Sequence, residues 1–284
     1  MNTGTLSRRP ILPVRWKLQA AELLADTPTS RVWKVLREDG RPAVLKALKP
    51  LGVEDELRGK YLLRWRQGFG LIRLLRAAGP NLLLEYAGER PLSAVIASDG
   101  DSAATEIAAD VLARLMAPST RPLPAELQPL RERFQPLFDK AQIDRDAGRN
   151  SHYPAAAAIA QRLLDSPVAH CPLHGDLHHD NIYYGRRGWL AIDPKGLVGD
   201  PGFDAANLFF NPLERTDLCL DHARIAFMAV TFGATLKQSP RLMLDHAIAY
   251  GALSAAWHAG DANAIDEARE LSVVAAVSEV AAHF

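Results

Sequence analysis

The first third of the chain carries short runs in which apolar and polar residues alternate, and the remainder carries long stretches in which apolar residues recur every third or fourth position. A period of two belongs to strands and a period near 3.6 to helices, so the pattern changes type along the chain. Trp16–Ala25, Arg31–Arg37 and Pro42–Leu48 read as three strands, with Asp39-Gly40 as the hairpin turn between the last two. A helix is expected over Glu54–Gln67, with Leu57, Tyr61 and Trp65 along one face. Leu71–Arg76 and Asn81–Tyr86 add two further strands, and residues 1 to about 13 are expected to be loose.

After Tyr86 the pattern is helical. Helices are predicted over Asp101–Met116, Glu126–Ala147, Pro154–Leu164 and Gly202–Phe210, then near 216–237, 239–259 and 261–281. One strand pair interrupts them: Ile182–Tyr184 and Trp189–Ile192 flank a turn at Gly185–Gly188. Strands early and helices late describe an α+β chain. The expected layout is a small antiparallel-sheet lobe, residues 1–87, and a mostly helical lobe, residues 88–284, meeting in a cleft near residues 85–90.

Composition narrows the classes of partner. The 284 residues include 33 basic and 33 acidic side chains, a formal net charge of zero, which argues against a nucleic-acid or membrane-surface binder. Cys171 and Cys219 have neither metal nor redox spacing. The N-terminus shows no apolar signal region, and apolar runs such as Ile225–Leu236 are too short to span a bilayer. A cytoplasmic chain, monomeric or weakly dimeric, is expected.

The densest chemistry lies between His174 and Pro201, HGDLHHDNIYYGRRGWLAIDPKGLVGDP. Asp176 is followed five residues later by Asn181, and Asp193 comes twelve residues after that. This is the spacing of a kinase catalytic loop. A carboxylate at Asp176 suits orienting an acceptor hydroxyl and taking its proton, while Asn181 and Asp193 offer the hard oxygens that magnesium prefers. The predicted hairpin would bring those two to the open ends of paired strands. Two other readings compete: a polar turn capping a neighbouring helix, and a hydrolase metal cluster drawn from His174, Asp176, His178, His179 and Asp180. Lys46 ends an apolar strand and needs an anionic partner, because burying an unpaired ammonium is costly. Glu54 and Glu56 are the candidates, both of which also suit a helix first turn. Lys49, at the strand end, is expected to be solvated.

HGDLHHDNI followed by WLAIDPKGLVGDPGFDAANLFFNP resembles the aminoglycoside phosphotransferase superfamily. Asp193-Pro194-Lys195-Gly196 with Gly199-Asp200-Pro201 is similar, more narrowly, to the streptomycin 6-phosphotransferase and hydroxyurea-resistance kinase family. The resemblance implies a two-lobe protein-kinase-like fold that uses ATP and Mg2+ to phosphorylate a small-molecule hydroxyl. Under it Lys46 holds the α- and β-phosphates and pairs with Glu56, set in DELRG, while Ser30 belongs to a glycine-free loop over the phosphates. Backbone groups of Glu85 and Ala87 meet the adenine edge, Asp176 is the base, Asn181 and Asp193 hold the metal, and Lys195 meets phosphate or acceptor. His174 shapes the loop, and Asp200 and Asp204 anchor backbone beside it. The acceptor implied is an aminoglycoside such as streptomycin, met by Trp257 and Asp261, with Asp245 and His258 nearby. No pronounced acidic cluster marks a site for a strongly cationic acceptor, so a native sugar, cyclitol or amino alcohol stands as the alternative. A metal-dependent hydrolase and a nucleotide-binding pseudokinase stand behind it.

Overall fold

The computed structural model describes residues 13–284, so the expectation of a loose N-terminus falls largely outside the described residues. Five antiparallel strands form the first lobe: Gln19–Asp26 (β1), Ser30–Leu36 (β2), Pro42–Leu48 (β3), Leu74–Ala78 (β4) and Asn81–Glu85 (β5), in the order β1-β2-β3-β5-β4. Trp33 and Val35 of β2, Ala43 and Leu45 of β3 and Leu83 of β5 bury one face together. Trp16 closes that face from a 3-10 turn, Val14–Trp16, so the first strand begins three residues later than its apolar pattern suggested. On the other face Leu82 and Leu84 meet Leu62 and Leu63 in the main core.

The helix expected over 54–67 is instead two, Pro50–Asp55 (α1) and Gly59–Arg66 (α2). The break is a docking feature. A Cβ at Gly59 would lie 1.8 Å from the carbonyl oxygen of Pro194, and one at Gly196, where φ is +76°, would lie 2.9 Å from that of Arg58. Only glycine lets the α1–α2 corner and the Asp-Pro-Lys-Gly turn approach this closely. The strand expected from Leu71 likewise starts at Leu74, because residues 70–72 are hydrogen-bonded to the later hairpin: Ile72 N–H donates to Ala191 O at 3.0 Å and Ala191 N–H to Gly70 O at 3.0 Å.

The second lobe follows Arg90–Pro91 (β6). Its elements are Ser93–Asp99 (α3), Asp101–Leu115 (α4), Gln128–Pro129 (β7), Leu130–Arg133 (α5), Gln135–Asp146 (α6), Tyr153–Asp165 (α7), Cys171–Leu173 (β8), Ile182–Gly185 (β9), Gly188–Ala191 (β10), Leu197–Gly199 (β11), Gly202–Ala206 (α8), Thr216–Cys219 (α9), His222–Leu236 (α10), Pro240–Gly260 (α11) and Ala264–Ala281 (α12). Local capping sets several of these bounds. Asp221 accepts from Arg224 N–H at 3.0 Å and splits the expected 216–237 helix into α9 and α10. Ser239, followed by Pro240 at the first helical position, caps α11, and Asn263 caps α12 three residues after its expected start. α11 is apolar around most of its circumference and is correspondingly buried, packing on α6, α7, α8, α10 and α12. Among the described residues no helix is long and apolar enough to cross a membrane.

Candidate active site

The hairpin β9–β10 forms with the register its sequence implied: Ala191 pairs with Ile182, and Ile192 N–H donates to Asn181 O at 2.8 Å. Asn181 and Asp193 therefore flank the open end of one hairpin. Asp193 has φ of +57°, a left-handed conformation that Asp tolerates better than most residues. This turns the chain sharply into Pro194, and the Asp193 carboxylate lies 2.9 Å from the Lys46 ammonium.

Lys46 is 5% exposed and also pairs with Glu56 at 2.6 Å. Burial alone would push its pKa down; Asp193 and Glu56 outweigh that and leave it raised. Burial likewise opposes the charge on Glu56, but Lys46 and then Lys195 hold its pKa low. Lys195 reaches the same carboxylate from the other side, 3.2 Å from Glu56 Oε1 and 2.9 Å from Asp55 Oδ2. Burial opposes its charge too, and Asp176, Asp55 and Glu56 raise its pKa. Lys46, Asp55, Glu56, Asp193 and Lys195 thus form one charge network, of which the sequence suggested only the Lys46–Glu56 pair.

Asp176 sits in the loop between β8 and β9. Asn181 donates its amide to the Asp176 backbone oxygen at 2.8 Å and to Oδ2 at 3.4 Å, and Asn207 donates to Oδ1 at 3.1 Å. The loop is shaped from beneath. His174 is buried, accepts from Asp176 N–H at Nδ1 and places Nε2 2.6 Å from Ile192 O, and burial lowers its pKa to about 4. Asp204, 1% exposed, accepts the N–H groups of His174 and Gly175, both at 2.7 Å. Burial raises its pKa to about 7. Asp200 accepts from Val168 and Gly202 N–H groups and stands 3.2 Å from His246 Nε2.

Divalent-metal fit follows from the donor set. The Asn181 amide nitrogen faces Asp176, leaving Oδ1 as an acceptor, and Asp193 gives one oxygen to Lys46 and retains the other. Two hard oxygens at one hairpin mouth suit Mg2+, which takes one or two protein ligands and fills the rest with phosphate and water. Of the five residues of the hydrolase reading, His178 Nε2 and Asp176 Oδ1 approach to 3.9 Å, and the others point elsewhere. His174 faces Ile192, His178 Nδ1 accepts from Asp180 N–H, Asp180 accepts from Ser93, and His179 is buried, its pKa lowered to about 3 by burial and then by Arg224.

Other candidates are placed as follows. Ser30 is buried in its own turn, its N–H donating to Thr27 Oγ1 at 3.1 Å. Lys49, expected to be solvated, instead clamps that turn through Asp26 at 2.6 Å and the Thr27 carbonyl. The Glu85 carboxylate accepts from Arg187 at 2.6 and 2.8 Å and from Arg73 N–H at 2.9 Å. Arg187 also donates to the carbonyls of Gly68 and Leu71, tying the hairpin to the interlobe strap. Ala87 is buried there, its carbonyl against Gly185. Trp257 lies under the guanidinium of Arg133, 4.5 Å from ring centre, and Asp261 is exposed just past α11. Asp245 is committed to Arg162 and Arg241, each at 3.1 Å. Sequence reasoning missed Asn207, Asp55, Arg133 and Arg187; none stands at an informative spacing from Asp176.

A model of the aminoglycoside/hydroxyurea antibiotic resistance kinase family matches residues 15–262. Streptomycin 3''-kinase of Klebsiella pneumoniae is 40% identical over 253 residues, 87% of this chain and 91% of that protein. Streptomycin 6-kinase of Streptomyces glaucescens is 35% identical over 199 residues, 67% of this chain and 62% of that protein. Among solved structures, a thermostable mutant of the aminoglycoside phosphotransferase APH(4)-Ia, in ternary complex with AMP-PNP and hygromycin B, superposes with a TM-score of 0.62 at 14% identity, covering 93% of this chain and 94% of that one. The two-lobe α+β layout is thus the fold of these phosphotransferases.

Proposed function

The chain belongs to the aminoglycoside/hydroxyurea antibiotic resistance kinase family, a family of phosphotransferases acting on hydroxyl groups, and we propose that it moves the γ-phosphate of ATP, with Mg2+, onto a hydroxyl of a streptomycin-type aminoglycoside. The observation that carries this reading is the convergence of Lys46, Glu56 and Asp193 beside the Asp176 loop. Lys46 is held charged and aimed, ready to bind the α- and β-phosphates. Asn181 and Asp193 would hold the metal, which would neutralise phosphate charge. Asp176, fixed at both carboxylate oxygens by Asn181 and Asn207, orients the acceptor hydroxyl in line and takes its proton. Lys195, between the nucleotide lobe and Asp176, adds positive charge where the transferring group develops negative charge. Glu85 to Ala87 form the strap that would meet adenine, braced from outside by Arg187. In this reading the nucleotide lobe runs to residue 87 and the acceptor lobe takes residues 88–284, and the Ser30 turn would stand over the phosphates.

The streptomycin assignment leans on the K. pneumoniae relative, similar along nearly its whole length. A second acceptor class, a less cationic sugar, cyclitol or amino alcohol, is favoured by one feature: the acidic candidates are neutralised or outlying, with Asp245 ion-paired and Arg133 covering Trp257. ADP release with MgATP across streptomycin, other aminocyclitols, sugars and amino alcohols separates the two, with wild type beside Asp176→Asn and products checked by mass. Streptomycin-dependent release with a one-phosphoryl mass gain, lost in the variant, supports the proposal, and NMR of the product assigns the hydroxyl. Turnover confined to a metabolite replaces the acceptor; a protein that does not bind MgATP overturns the kinase reading.

A further inference from the structure

Arg133, on α5 of the helical lobe, is contacted on two sides. One face of its guanidinium lies on Trp257 of α11, and Nη1 donates to Asp55 Oδ1 at 2.7 Å. Asp55 ends α1, in the nucleotide lobe. Its other oxygen holds Lys195 at 2.9 Å, and Lys195 shares Glu56 with Lys46, which closes on Asp193. An unbroken run of contacts therefore leads from an indole on the last long helices to the lysine expected to bind phosphate, crossing between lobes at Asp55.

The run is more than a surface ion pair. The Arg133 and Lys195 side chains are 18% and 14% exposed, and Asp55 is 32% exposed. Asp55 is drawn to its charged form by Arg133 and then by Lys195, against the cost of its burial. Charge also has to be apportioned. Glu56 faces two ammonium groups; if Asp55 did not take part of the load of Lys195, Lys195 and Lys46 would compete for one carboxylate. The α1–α2 corner that carries both acids is seated on the Asp-Pro-Lys-Gly turn by Gly59 and Gly196, so these groups have little room to drift.

We propose that Asp55 and Arg133 are positioning residues for phosphoryl transfer: Arg133, braced on Trp257, orients Asp55, and Asp55 holds Lys195 between Asp176 and the Lys46–Glu56 pair. The proposal rests on the kinase reading above. It predicts that the pair acts on turnover more than on nucleotide binding, because Lys46, Glu56 and Asp193 remain in place without it.

Wild type is first assayed with its acceptor, with Asp176→Asn as the inactive control, so a failed kinase reading shows itself before any variant is interpreted. Asp55→Asn and Arg133→Ala then each lower kcat by ~10- to ~100-fold, the scale on which a misplaced group costs rate, with KM for MgATP little changed. Arg133→Lys restores part of the loss. The double variant is no slower than the slower single variant, because both act through Lys195. Effects that multiply, an unchanged kcat, or a loss that follows MgATP affinity would each overturn the proposal. One measurement is independent of turnover: a double-mutant cycle of Asp55→Asn and Lys195→Met on urea unfolding. The two losses of stability are expected to be non-additive because the side chains are 2.9 Å apart, and losses that simply add refute the Asp55–Lys195 link even in a protein lacking a known acceptor.

Discussion

Asn207 offers a direct test of how Asp176 is prepared for its role. Its amide donates to Asp176 Oδ1 at 3.1 Å, and its own Oδ1 accepts from Asn211 at 2.9 Å. In Asn207→Ala the carboxylate loses a hydrogen bond to a charged acceptor, worth about 1.5–3 kcal/mol, or ~10- to ~100-fold in kcat if it is used mainly in the transition state. The local fold should survive, because Asn211 also donates to the Asn207 backbone oxygen at 3.0 Å. Asn207→Asp is the sharper perturbation, since it sets a second carboxylate against the first. Two unit charges about 3–4 Å apart at an effective dielectric constant of about 20 repel by about 4–5 kcal/mol. Asp176 keeps 31% of its side chain in water, and that exposure discounts the repulsion. The remainder is enough to push the Asp176 carboxylate away from the position Asn207 gives it, so kcat should fall below that of Asn207→Ala. Steady-state kinetics, with circular dichroism to confirm folding, makes the measurement. A kcat within twofold of wild type in both variants would show that Asn207 does not orient Asp176.

Four further outcomes are expected. Lys46→Met leaves Glu56 and Asp193 without their shared cation, so calorimetry should find MgATP binding abolished and denaturation a stability loss of about 3–5 kcal/mol, the scale for breaking a buried pair; retained affinity would remove Lys46 from the site. Asn181→Ala should raise the Mg2+ concentration needed for half-maximal turnover without altering the fold, and a chelator should stop wild-type turnover. His179 is 1% exposed with its pKa lowered to about 3, and its ring nitrogens have no partner among the described residues. The unfolded chain therefore takes up a proton that the folded one refuses, and this contribution is present above about pH 6.5 and lost as pH falls; His179→Leu should gain about 2–3 kcal/mol over wild type at pH 4.5 relative to pH 7.5 in urea titrations. Asp204→Asn turns an amide group toward one of two backbone N–H donors and should lower stability by about 1–3 kcal/mol, with kcat falling as the loop loosens.

Much of the candidate site's geometry was legible because it is local. Asp176, Asn181 and Asp193 lie within one strand-turn-strand unit, where alternation and a Gly-bounded turn fix register, so spacing along the chain is close to spacing in the molecule. Lys46 was legible for a different reason: a charge inside an apolar strand demands a partner, and only a few nearby acids could supply one. Boundaries were less legible where a second segment sets them. Nothing in the periodicity of 54–67 shows that Pro194 will press on Gly59, and nothing at Leu71 shows that Ala191 will take its neighbours' hydrogen bonds.

The two halves of the proposed site are built differently. Residues proposed to handle phosphate would act on a charge common to every nucleotide substrate, so one short motif is enough to carry them. The candidates for the acceptor side, Trp257 and Asp261, lie on or just past α11, which is buried among α6, α7, α8, α10 and α12. A side chain there is informative through what it meets across space: Trp257 meets Arg133, Asp245 meets Arg162 and Arg241, and Asn207 meets Asp176. Each of these pairings redirects a residue that sequence alone offered, or failed to offer, to the acceptor. Asp245, an acid suited to a cationic sugar, is neutralised by two arginines, whereas Asn207, unremarked by spacing, holds Asp176, the proposed base. If the chain phosphorylates an acceptor as proposed, substitutions at these contacts between helices distant in sequence should change acceptor preference in the ADP-release panel while leaving MgATP binding intact.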